Sequence, residues 1–489
     1  MMKTIPDILK SRVVSAEDAA ALIHEGSCVG FSGFTLVGYP TKVPSAIAKI
    51  GKAKDLTVLT GASVGDELDG ELTRAGLIKF RAPYQSHKDL RNAINDGSIG
   101  YEDFHLSHMP VMLNQGIGPE PDWAVIECSG IVDEGIIPAA SVGASDSFIR
   151  NAKQVIVELN QDLPDALYGM HDIYETGDKP IPICSPADRI GIPYVPCDLN
   201  KIAAVVLTSD NGHAPTFKAP DEISMKISEN IVNFLKAEVR AGRQPDCLHP
   251  LQSGVGNVAN AVLSELGKHF HGLSMYTEVM QDSAFCLVRD GIITKASTTA
   301  LSLSHEAQAE FFANIEYYRE HIVIRPQEIS NHPEVVRRLQ LISMNTPIEV
   351  DIYGNVNSTH VMGSKIMNGI GGSGDFARNA GLTIFSTGSL AKNGKISCIV
   401  PMVSHVDHTE HDVDVIVTEY GVADLRWKTP RQRAELIIEN CAHPDYRPML
   451  RAYFEEACDT VGGHTPHVMD KALSWHERYL RTGSMKEEI

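Results

Sequence analysis

The sequence predicts an α/β protein whose two halves are diverged copies of one structural unit. The chain has 489 residues, roughly two to three times the length of a usual domain, so at least two domains are expected. Short apolar strand-like runs alternate with amphipathic helical segments. Residues 143–152 and 371–380 match at six of ten positions, and a strand-like run follows each segment.

The first half alternates helices and strands. Helices are predicted at 16–23 and 44–50, and strands at 27–34, 56–60, 123–128 and 154–159. The last two strands are apolar enough to be buried on both faces, which is typical of parallel sheets. The strand at 56–60 ends at Gly61-Ala62-Ser63.

A segment rich in turn formers, residues 209–220, is predicted to link the two domains, 1–220 and 221–489. Asp221 then fits the N-cap of a helix that Gly242 would end. The apolar face of this helix is predicted to carry Ile223, Ile227, Ile231, Leu235 and Val239.

One carboxylate, Glu278, stands where a strand should end. The apolar run Leu273-Ser-Met-Tyr-Thr precedes it, and a loop that begins Ser253-Gly-Val-Gly lies upstream. Because glycines lack Cβ atoms, a ligand can approach such a loop closely. Aligning the two halves places Glu278 opposite Gly61, so only the second half has the carboxylate. Most glutamates are solvated surface residues, so the surroundings must establish a site.

The same glycine loop also fits a dinucleotide-binding fingerprint. Residues 254–259 match G-x-G-x-x-A, and Glu278 follows at about the distance of 20 residues that would hold a ribose. That fingerprint needs a strand directly before the first glycine. Residues 247–253 contain Pro250 and are not predicted to form one, which disfavours a dinucleotide.

A second alternative is a metal site in residues 404–414, which contain His405, His408, His411 and several carboxylates. The histidines, spaced by three, would align only on a helix, whereas the flanking residues are predicted to form strands. In a turn between strands such side chains more often hydrogen-bond one another and the backbone. The sequence therefore predicts no metal.

A third candidate is the glycine-rich segment 367–376. Its backbone N–H groups can face an oxygen or a phosphate, although a ligand-free turn is the alternative. Its place in the same half as Glu278, with Lys392 a short strand downstream, favours a binding site.

Composition bounds the function classes. The formal net charge of −19 argues against nucleic-acid binding. No signal-peptide run and no continuous apolar stretch of ~18 residues occurs, which predicts a cytoplasmic protein without a membrane segment. The nine cysteines form no Cys-x-x-Cys pair and are predicted to be mostly buried free thiols.

Six motifs together carry a family resemblance. In chain order they are Gly254-Val-Gly-Asn, Tyr276-Thr-Glu278, Arg325-Pro-Gln-Glu-Ile-Ser-Asn331, residues 351–360, Gly369-Ile-Gly-Gly-Ser-Gly-Asp and Thr418-Glu419-Tyr-Gly-Val-Ala-Asp-Leu-Arg426. With them the chain resembles the acetyl-CoA hydrolase/transferase family of class I CoA-transferases over nearly its whole length. Trp427 departs from the family, which often has Gly there, and leaves the local shape of that loop open.

The resemblance implies two similar open α/β CoA-transferase domains with the active site between them. It also implies a CoA-transferase that uses an acyl-CoA and a small carboxylate, with succinyl-CoA and acetate as the expected pair. Glu278 would be the nucleophile, passing through an acyl-glutamyl anhydride and a glutamyl-CoA thioester. Asn331 would lie on a loop that closes over the site, with Glu419 and Ser63 near the acceptor.

By the same resemblance, the backbone N–H groups of Val255 and Gly372 would form the oxyanion hole. The residues expected to line the CoA site are Gly254, Val255, Gly256, Asn257, Val258, Ile348, Asn368, Gly372 and Lys392. A homodimer is implied, with no cofactor beyond the substrate coenzyme A. Three alternatives stay open, namely an acetyl-CoA hydrolase, a propionyl-CoA:succinate CoA-transferase and a non-catalytic ligand sensor, although Glu278 and the glycines at 371–374 count against the sensor.

Overall fold

The structure is a computed structural model that describes residues 3–209, 214 and 219–486. Its chain forms two compact units, one from the described residues of 1–216 and 274–338, the other from those of 217–273 and 339–489. The division at residue 220 stays a prediction, and these units cut across it, because the segment with Glu278 packs with the N-terminal half. Of the predicted linker, residues 210–213 and 215–218 lie outside the described residues.

The N-terminal segment supplies the first sheet and its helices. Its strands are β1 Cys28–Phe31, β2 Leu56–Thr60, β3 Ile78–Ala82, β4 Gly100–Tyr101, β5 Trp123–Val132, β6 Gly135–Pro138, β7 Gln154–Asn160, β8 Val195–Pro196 and β9 Ile202–Thr208. Its α-helices are α1 Ala16–Ala20, α2 Lys42–Ile50, α3 Glu71–Arg74, α4 Lys88–Asn95, α5 His108–Asn114 and α6 Ser145–Asn151. Short 3-10 turns cover 7–12, 165–167 and 199–201, and a π-helical turn covers 66–70.

The first sheet is mainly parallel. Its order is β4-β3-β2-β1-β5, and β7 and β9 continue the parallel pairing beyond β5. Strand β6 pairs antiparallel with β5, and β8 pairs antiparallel with β6. Every residue of β7 after Gln154 is buried, which confirms the prediction of a strand covered on both faces. The predicted helix at 16–23 is shorter than expected and ends at Ala20.

The middle of the chain contributes to both units. Its helices are α7 Glu222–Arg240, α8 Asn257–Leu266, α9 Asp282–Arg289, α10 His305–Ala313, α11 Ile315–His321, α12 Gln327–Ser330 and α13 Pro333–Leu339. Its strands are β10 Leu251–Ser253, β11 Leu273–Tyr276, β12 Val279–Gln281, β13 Ile293–Thr298, β14 Ala300–Ser302, β15 Ile322–Ile324 and β16 Ile342–Asn345. In the first unit β13 lies between β11 and β15, and β12 pairs with β14.

The C-terminal part completes the second unit. Its strands are β17 Glu349–Asp351, β18 Val356–Asn357, β19 His360–Val361, β20 Lys365–Ile366, β21 Leu382–Ser386, β22 Leu390–Ala391, β23 Ile396–Ser397, β24 Ile399–Val400, β25 Val415–Thr418 and β26 Gly421–Asp424. Its helices are α14 Ser373–Ala377, α15 Pro430–Cys441, α16 Arg447–Thr460 and α17 Ser474–Thr482.

Strand order agrees with the predicted duplication. In the second unit β10, β16, β21 and β25 pair in that order and all in parallel, as β1, β5, β7 and β9 do in the first. The two matching decapeptides lie at equivalent places, since they contain α6 and α14 and lead into the third strand of each series. The antiparallel hairpins are not equivalent, because β6 pairs with the second strand of its series, β5, whereas β26 pairs with the fourth, β25.

Each unit has its own apolar core. In the first, the core fills the space between the sheet and α2 with residues such as Val29, Phe31, Val43, Ile47 and Val58. The core of the second unit packs β24 and β25 against α15 and α16 through Ile399, Ile416, Ile437 and Leu450, among others. Burial of apolar surface of this kind is the main favourable contribution to folding.

Helix α7 forms as predicted, with one correction. The side chain of Asp221 accepts a hydrogen bond from the Ser224 N–H, 2.8 Å away, and Gly242 adopts a φ of +71° just past the helix end. Ile227, Ile231 and Leu235 are buried. The prediction that Ile223 belongs to the buried face is wrong, because it is 44% exposed in a first turn that is less covered than the helix centre.

All nine cysteines are free, and most are buried or half-buried. The prediction of buried thiols is wrong for Cys184 and Cys247, which are exposed in loops. Among the described residues, no helix has both the length and the apolar character needed to cross a membrane.

Candidate functional site

Glu278 lies in the two-residue connection between β11 and β12, which confirms its predicted position at a strand end. Its backbone carbonyl accepts from the Thr299 N–H at 3.0 Å and from the Thr298 hydroxyl at 2.9 Å. Both donors come from the segment where β13 ends. Two hydrogen bonds therefore hold the backbone of Glu278, whose side chain is half-buried.

The Glu278 carboxylate is bound by Asn331. The Asn331 Nδ2 donates to Oε2 of Glu278 over 2.7 Å. Because an ionised carboxylate can only accept, the NH₂ end of the amide faces Glu278, and Oδ1 of Asn331 accepts from the Ser330 hydroxyl over 2.7 Å. A hydrogen bond to an ionised acceptor is stronger than one between neutral groups. The structure thus brings together two of the predicted site residues.

Asn331 lies in a short, buried loop between two helices. It caps the end of α12, is fully buried, and stands in a two-residue connection to α13. Its position is set by helix packing, whereas closure of this segment over a ligand stays a prediction.

A small cluster packs beside Glu278 within the first unit. It joins Val279 to Phe34, Ala62, Leu106 and Ala300, with Tyr84 against it. Burial raises the pKa of Tyr84 to about 12, and the neighbouring Glu278 carboxylate acts in the same direction. Tyr84 therefore remains a neutral phenol at physiological pH.

Ser63 follows Ala62 at the end of β2 and is fully buried. Its hydroxyl donates to the Ser32 carbonyl at 2.9 Å, and its carbonyl accepts from Arg81 at 2.9 Å. Arg81 is itself buried and paired with Asp69 at 3.0 Å. The structure gives Ser63 a fixed place in the first unit, and its closeness to an acceptor stays a prediction.

The loop at 254–256 requires a correction. Strand β10 ends directly before Gly254 and helix α8 begins at Asn257, so the prediction that no strand precedes the glycines is wrong. Pro250 does not prevent the strand, because it stands just before it and its carbonyl accepts from the Ile342 N–H at 3.0 Å. The strand–turn–helix arrangement therefore cannot be used against a dinucleotide.

The loop itself is open to a ligand. Gly256 adopts a φ of +114°, a conformation that side chains disfavour, and no atom lies within 4 Å of the place a Cβ would occupy. The Val255 side chain is 54% exposed and the Asn257 side chain is also exposed. Val258 and Gly254 are half-buried, and the Gly254 N–H donates to the Met344 carbonyl at 2.9 Å.

The second glycine loop leads into α14. Gly371 has a φ of +60°, and Gly372 caps the helix, its carbonyl accepting from the Phe376 N–H at 3.1 Å. Asn368 donates to the Ser358 carbonyl at 3.2 Å, and the Ile348 N–H donates to the carbonyl of the adjacent Asn357 at 2.8 Å. Ile348 and Asn368 are therefore bonded to consecutive residues, Asn357 and Ser358.

Lys392 and Glu419, two further predicted site residues, lie in different parts of the second unit. Lys392 is exposed in the turn between β22 and β23, with a φ of +50°. Glu419 follows β25 and accepts from the backbone N–H and the hydroxyl of Ser389, at 2.8 and 2.6 Å. All predicted CoA-lining residues and Glu419 belong to the second unit, whereas Glu278, Asn331 and Ser63 belong to the first.

The polar run at 404–414 lies between strands, and its side chains bond to backbone and to other side chains. Asp407 accepts from the N–H groups of Ser358 and Thr359, at 2.6 and 2.9 Å. His408 contacts the Ser373 hydroxyl at 3.1 Å. Within the part of the chain that the structure describes, no group of three or more His, Cys, Asp or Glu side chains is placed to hold a metal ion.

Two family models match the chain. Residues 9–207 match the acetyl-CoA hydrolase/transferase N-terminal domain, and residues 308–454 match the C-terminal domain. The chain belongs to the acetyl-CoA hydrolase/transferase family. This membership, rather than the shape of the loop at 254–256, is what favours CoA over a dinucleotide for this family member.

Similar proteins extend this result. This family member is 54% identical to succinyl-CoA:acetate CoA-transferase from Clostridium kluyveri, over 98% of its own chain and 91% of the relative. It is 43% identical to propanoyl-CoA:succinate CoA transferase from Escherichia coli, over 96% and 98% of the two chains. The solved structure of 4-hydroxybutyrate CoA-transferase from Porphyromonas gingivalis has the same fold, with a TM-score of 0.66, 22% identity and coverage of 92% and 99%.

Sequence reasoning missed several residues at this site. Thr298 and Ser330 orient Glu278 and Asn331, and Tyr84 packs beside the carboxylate. The adjacent threonines, Thr298 and Thr299, were a usable signal for Thr298. Nothing local marks Tyr84, whose place depends on distant segments packing together.

The structure gives the conformation of the loop at Trp427, which the sequence did not predict. Trp427 has a φ of +57° and is fully exposed. The loop thus keeps a left-handed conformation that favours glycine, although the residue there is tryptophan.

Proposed function

We propose that this family member is a CoA-transferase that exchanges CoA between succinyl-CoA and acetate, with Glu278 as the covalent carrier. The observation that carries the proposal is the Glu278 carboxylate, which stands at a strand end and is held at 2.7 Å by an Asn331 amide of fixed orientation. The relative from Clostridium kluyveri, 54% identical, supports the choice of substrates.

The first half-reaction has two displacements. A carboxylate oxygen of Glu278 attacks the thioester carbonyl, the carbon–sulfur bond breaks, and CoA leaves as a thiolate, giving an acyl-glutamyl anhydride. The thiolate then attacks the glutamyl carbonyl, the bond to the bridging oxygen breaks, and the first carboxylate is released. Glu278 now bears CoA as a thioester, and the acceptor carboxylate reverses both displacements.

Each displacement passes through a tetrahedral oxyanion. The backbone N–H groups of Val255 and Gly372 are assigned to stabilise it, because glycine-rich backbone donors are fixed before reaction and no side chain obstructs them. One such donor contributes about 3 kcal/mol to lowering the barrier. The CoA nucleotide is assigned to the predicted residues of the second unit, where its binding helps hold the thioester against Glu278.

Asn331 serves the carboxylate. Its Nδ2 holds Oε2 of Glu278 in one position, so the side chain is oriented before substrate arrives. Ser63 and Glu419 are assigned to the surroundings of the acceptor. We further propose a cytoplasmic homodimer that needs no cofactor beyond the substrate coenzyme A.

A hydrolase is the second candidate function, because the matching family models include hydrolases by description. Water would then cleave the anhydride or the thioester that acetate otherwise consumes. A propionyl-CoA:succinate transferase would use the same carrier with other acyl groups, as the name of the Escherichia coli relative suggests. Free thiol release measured with and without acetate separates hydrolysis from transfer, and initial rates over a donor and acceptor panel separate the two transferases.

The covalent carrier is tested by trapping. Incubation with succinyl-CoA and no acceptor, followed by borohydride, reduces a glutamyl thioester to an alcohol and leaves ordinary carboxylates unchanged. We expect inactivation and a mass change confined to the peptide with Glu278. Parallel double-reciprocal plots at several acetate concentrations are expected for the same reason. Labelling of another residue, or a Glu278→Ala variant with wild-type transfer, would refute the proposal.

A further inference from the structure

The polar run Ser404-His405-Val406-Asp407-His408, here called the polar strap, has no assigned role in the proposed chemistry, yet it bonds to segments that carry predicted CoA-site residues. We propose that Asp407 and His408 are positioning residues, Asp407 for the turn that carries Asn368 and His408 for the turn that carries Gly372. The inference rests on the proposed function and extends it to residues that do not touch substrate.

The His408 contact fixes the turn around Gly372. Its Nε2 lies 3.1 Å from the Ser373 oxygen, and the Ser373 hydroxyl donates its hydrogen to the Ile370 carbonyl at 2.9 Å. Since that hydrogen is already used, the Ser373 oxygen accepts from an N–H of His408. Ile370 and Ser373 flank Gly371 and Gly372. These hydrogen bonds therefore hold the backbone on both sides of the two glycines.

The His408 ring is itself held in place. It is 98% buried and packs on Phe385 with ring centroids 4.8 Å apart. Its backbone N–H and carbonyl both pair with Val356, at 3.1 and 2.8 Å. A fixed imidazole can therefore impose its position on Ser373.

Asp407 acts on the neighbouring turn. It accepts from the N–H groups of Ser358 and Thr359, at 2.6 and 2.9 Å, and from the Thr359 hydroxyl. The carbonyls of these two residues in turn accept from Asn368 Nδ2 at 3.2 Å and from the Met367 N–H at 2.7 Å. One carboxylate thus orders the backbone to which the segment with Asn368 is attached.

The first residue of the polar strap anchors a third segment. The N–H and hydroxyl of Ser404 donate to Oε1 of Glu349, at 2.7 and 2.8 Å, and Asn357 Nδ2 donates to the same oxygen at 2.9 Å. The Asn357 carbonyl accepts from the Ile348 N–H at 2.8 Å. Ile348, Asn368 and Gly372 are therefore all tied to one short run.

Such a role has measurable consequences because oxyanion donors act only when they are aimed before reaction. A misplacement of about 1 Å can cost about a hundredfold in rate. A loosened Gly372 turn should therefore lower kcat while CoA still binds, whereas a loosened Asn368 turn should weaken CoA binding itself.

The experiment measures Ser373→Ala, His408→Leu and the double variant that combines these two changes. Each is compared with His408→Gln, whose side chain keeps an N–H donor at a similar distance from Ser373. His411→Leu is the matched control, since His411 is an exposed histidine three residues further along. We measure kcat, KM for succinyl-CoA, Kd for CoA by calorimetry, and the unfolding midpoint. Trapping at Glu278 is measured in parallel on the wild type.

We expect His408→Leu and Ser373→Ala each to lower kcat about ten- to a hundredfold, with a change of less than about threefold in the Kd for CoA. The double variant should be no worse than the poorer single variant, because both changes break one chain of bonds. The kcat of His408→Gln should lie within about threefold of the wild-type value, and the kcat of His411→Leu should equal the wild-type value. Asp407→Asn, measured in the same assays, should instead weaken CoA binding about tenfold, and wild-type CoA binding in that variant would refute the role of Asp407.

The inference can be overturned either with or without the proposed function. If the wild type is trapped at Glu278 but His408→Leu and Ser373→Ala keep wild-type kcat, the positioning role is refuted and the proposed function stands. The role is equally refuted if His408→Gln is as impaired as His408→Leu, or if the losses only follow the unfolding midpoint. If the wild type neither transfers CoA nor is trapped, the proposed function fails and the inference fails with it.

Discussion

At the scale of single residues, a short polar relay prepares the candidate nucleophile. Ser330 orients the Asn331 amide, and Asn331 in turn donates to the Glu278 carboxylate, at 2.7 Å in each contact. Thr298 and Thr299, at the end of β13, donate hydrogen bonds to the backbone carbonyl of Glu278. Hydrogen bonds thus hold both the carboxylate and the backbone of Glu278 before substrate arrives, which is the preorganisation that the proposed transfer requires.

Asn331→Ala removes the donor to Glu278. We expect kcat for CoA transfer to fall about a hundredfold, because the carboxylate loses the contact that orients it. Ser330→Ala should have a smaller effect in the same direction, since the amide remains but can turn. Initial rates with succinyl-CoA and acetate measure both variants. Wild-type rates for Asn331→Ala would show that this hydrogen bond is only structural.

Trp427→Gly is expected to stabilise the protein by about 1 kcal/mol, because a left-handed φ costs a residue with a Cβ about that much. The side chain is fully exposed at a φ of +57°, so no packing is lost. Trp427→Ala is the control, since it removes the indole and keeps the Cβ. The free energies of unfolding of both variants decide the matter, and an equal gain in the Ala variant would exclude backbone strain as the cause.

At the scale of elements, a buried carboxylate joins a strand to a helix. Glu158 of β7 is buried and accepts from three N–H groups at the start of α2, those of Thr41, Lys42 and Val43, at 3.1, 3.2 and 2.6 Å. These N–H groups have no partner within the helix, and the helix dipole favours a negative charge there. Glu158 thus connects the third strand of its parallel series to α2.

Glu158→Gln should cost about 1–3 kcal/mol of stability, because one carboxylate oxygen becomes an NH₂ that cannot accept from backbone N–H groups. Glu17→Gln is the matched control, since Glu17 of α1 forms an exposed ion pair with Lys49 of α2 at 3.2 Å. Exposed pairs contribute little, so that variant should unfold like wild type. Denaturant unfolding measures both, and equal midpoints for the two variants would contradict the role of Glu158.

At the scale of the whole molecule, stability should depend on pH through a buried histidine. Burial lowers the pKa of His171 to about 4, although its hydrogen bond to the Ala139 carbonyl, 2.8 Å away, opposes the shift. The unfolded chain binds a proton at this residue near pH 6.5, which the native protein does not do until about pH 4. The contribution is therefore complete above pH 6.5 and is lost as pH falls towards 4.

The loss should reach about 3 kcal/mol at its largest. His171→Gln cannot titrate and can still donate to Ala139, so its stability should fall less between pH 7 and 5 than that of the wild type. His464→Gln changes an exposed histidine and should keep the wild-type slope. Urea midpoints at several pH values test this, and identical slopes for wild type and His171→Gln would contradict it.

The sequence by itself determined the features that depend on near neighbours. The α/β alternation, the cap at Asp221 and the strand end at Glu278 all follow from residue types within a few positions of one another. The turn character of the polar run at 404–414 followed in the same way, because its composition competes with regular structure. The matched decapeptides followed from comparing the sequence with itself. Family motifs added the candidate nucleophile and the residues assigned to CoA.

Only the tertiary structure decided which distant groups meet. Asn331 is 53 residues from Glu278 along the chain, and His408 is 35 residues from Ser373, so no local pattern could pair them. Local patterns also failed to predict β10, which forms directly after Pro250 because β16 pairs with it. They likewise did not show that residues 274–338 pack with the N-terminal half. Hydrogen-bond partners and burial depend on how whole elements pack, and packing is a property of the complete chain.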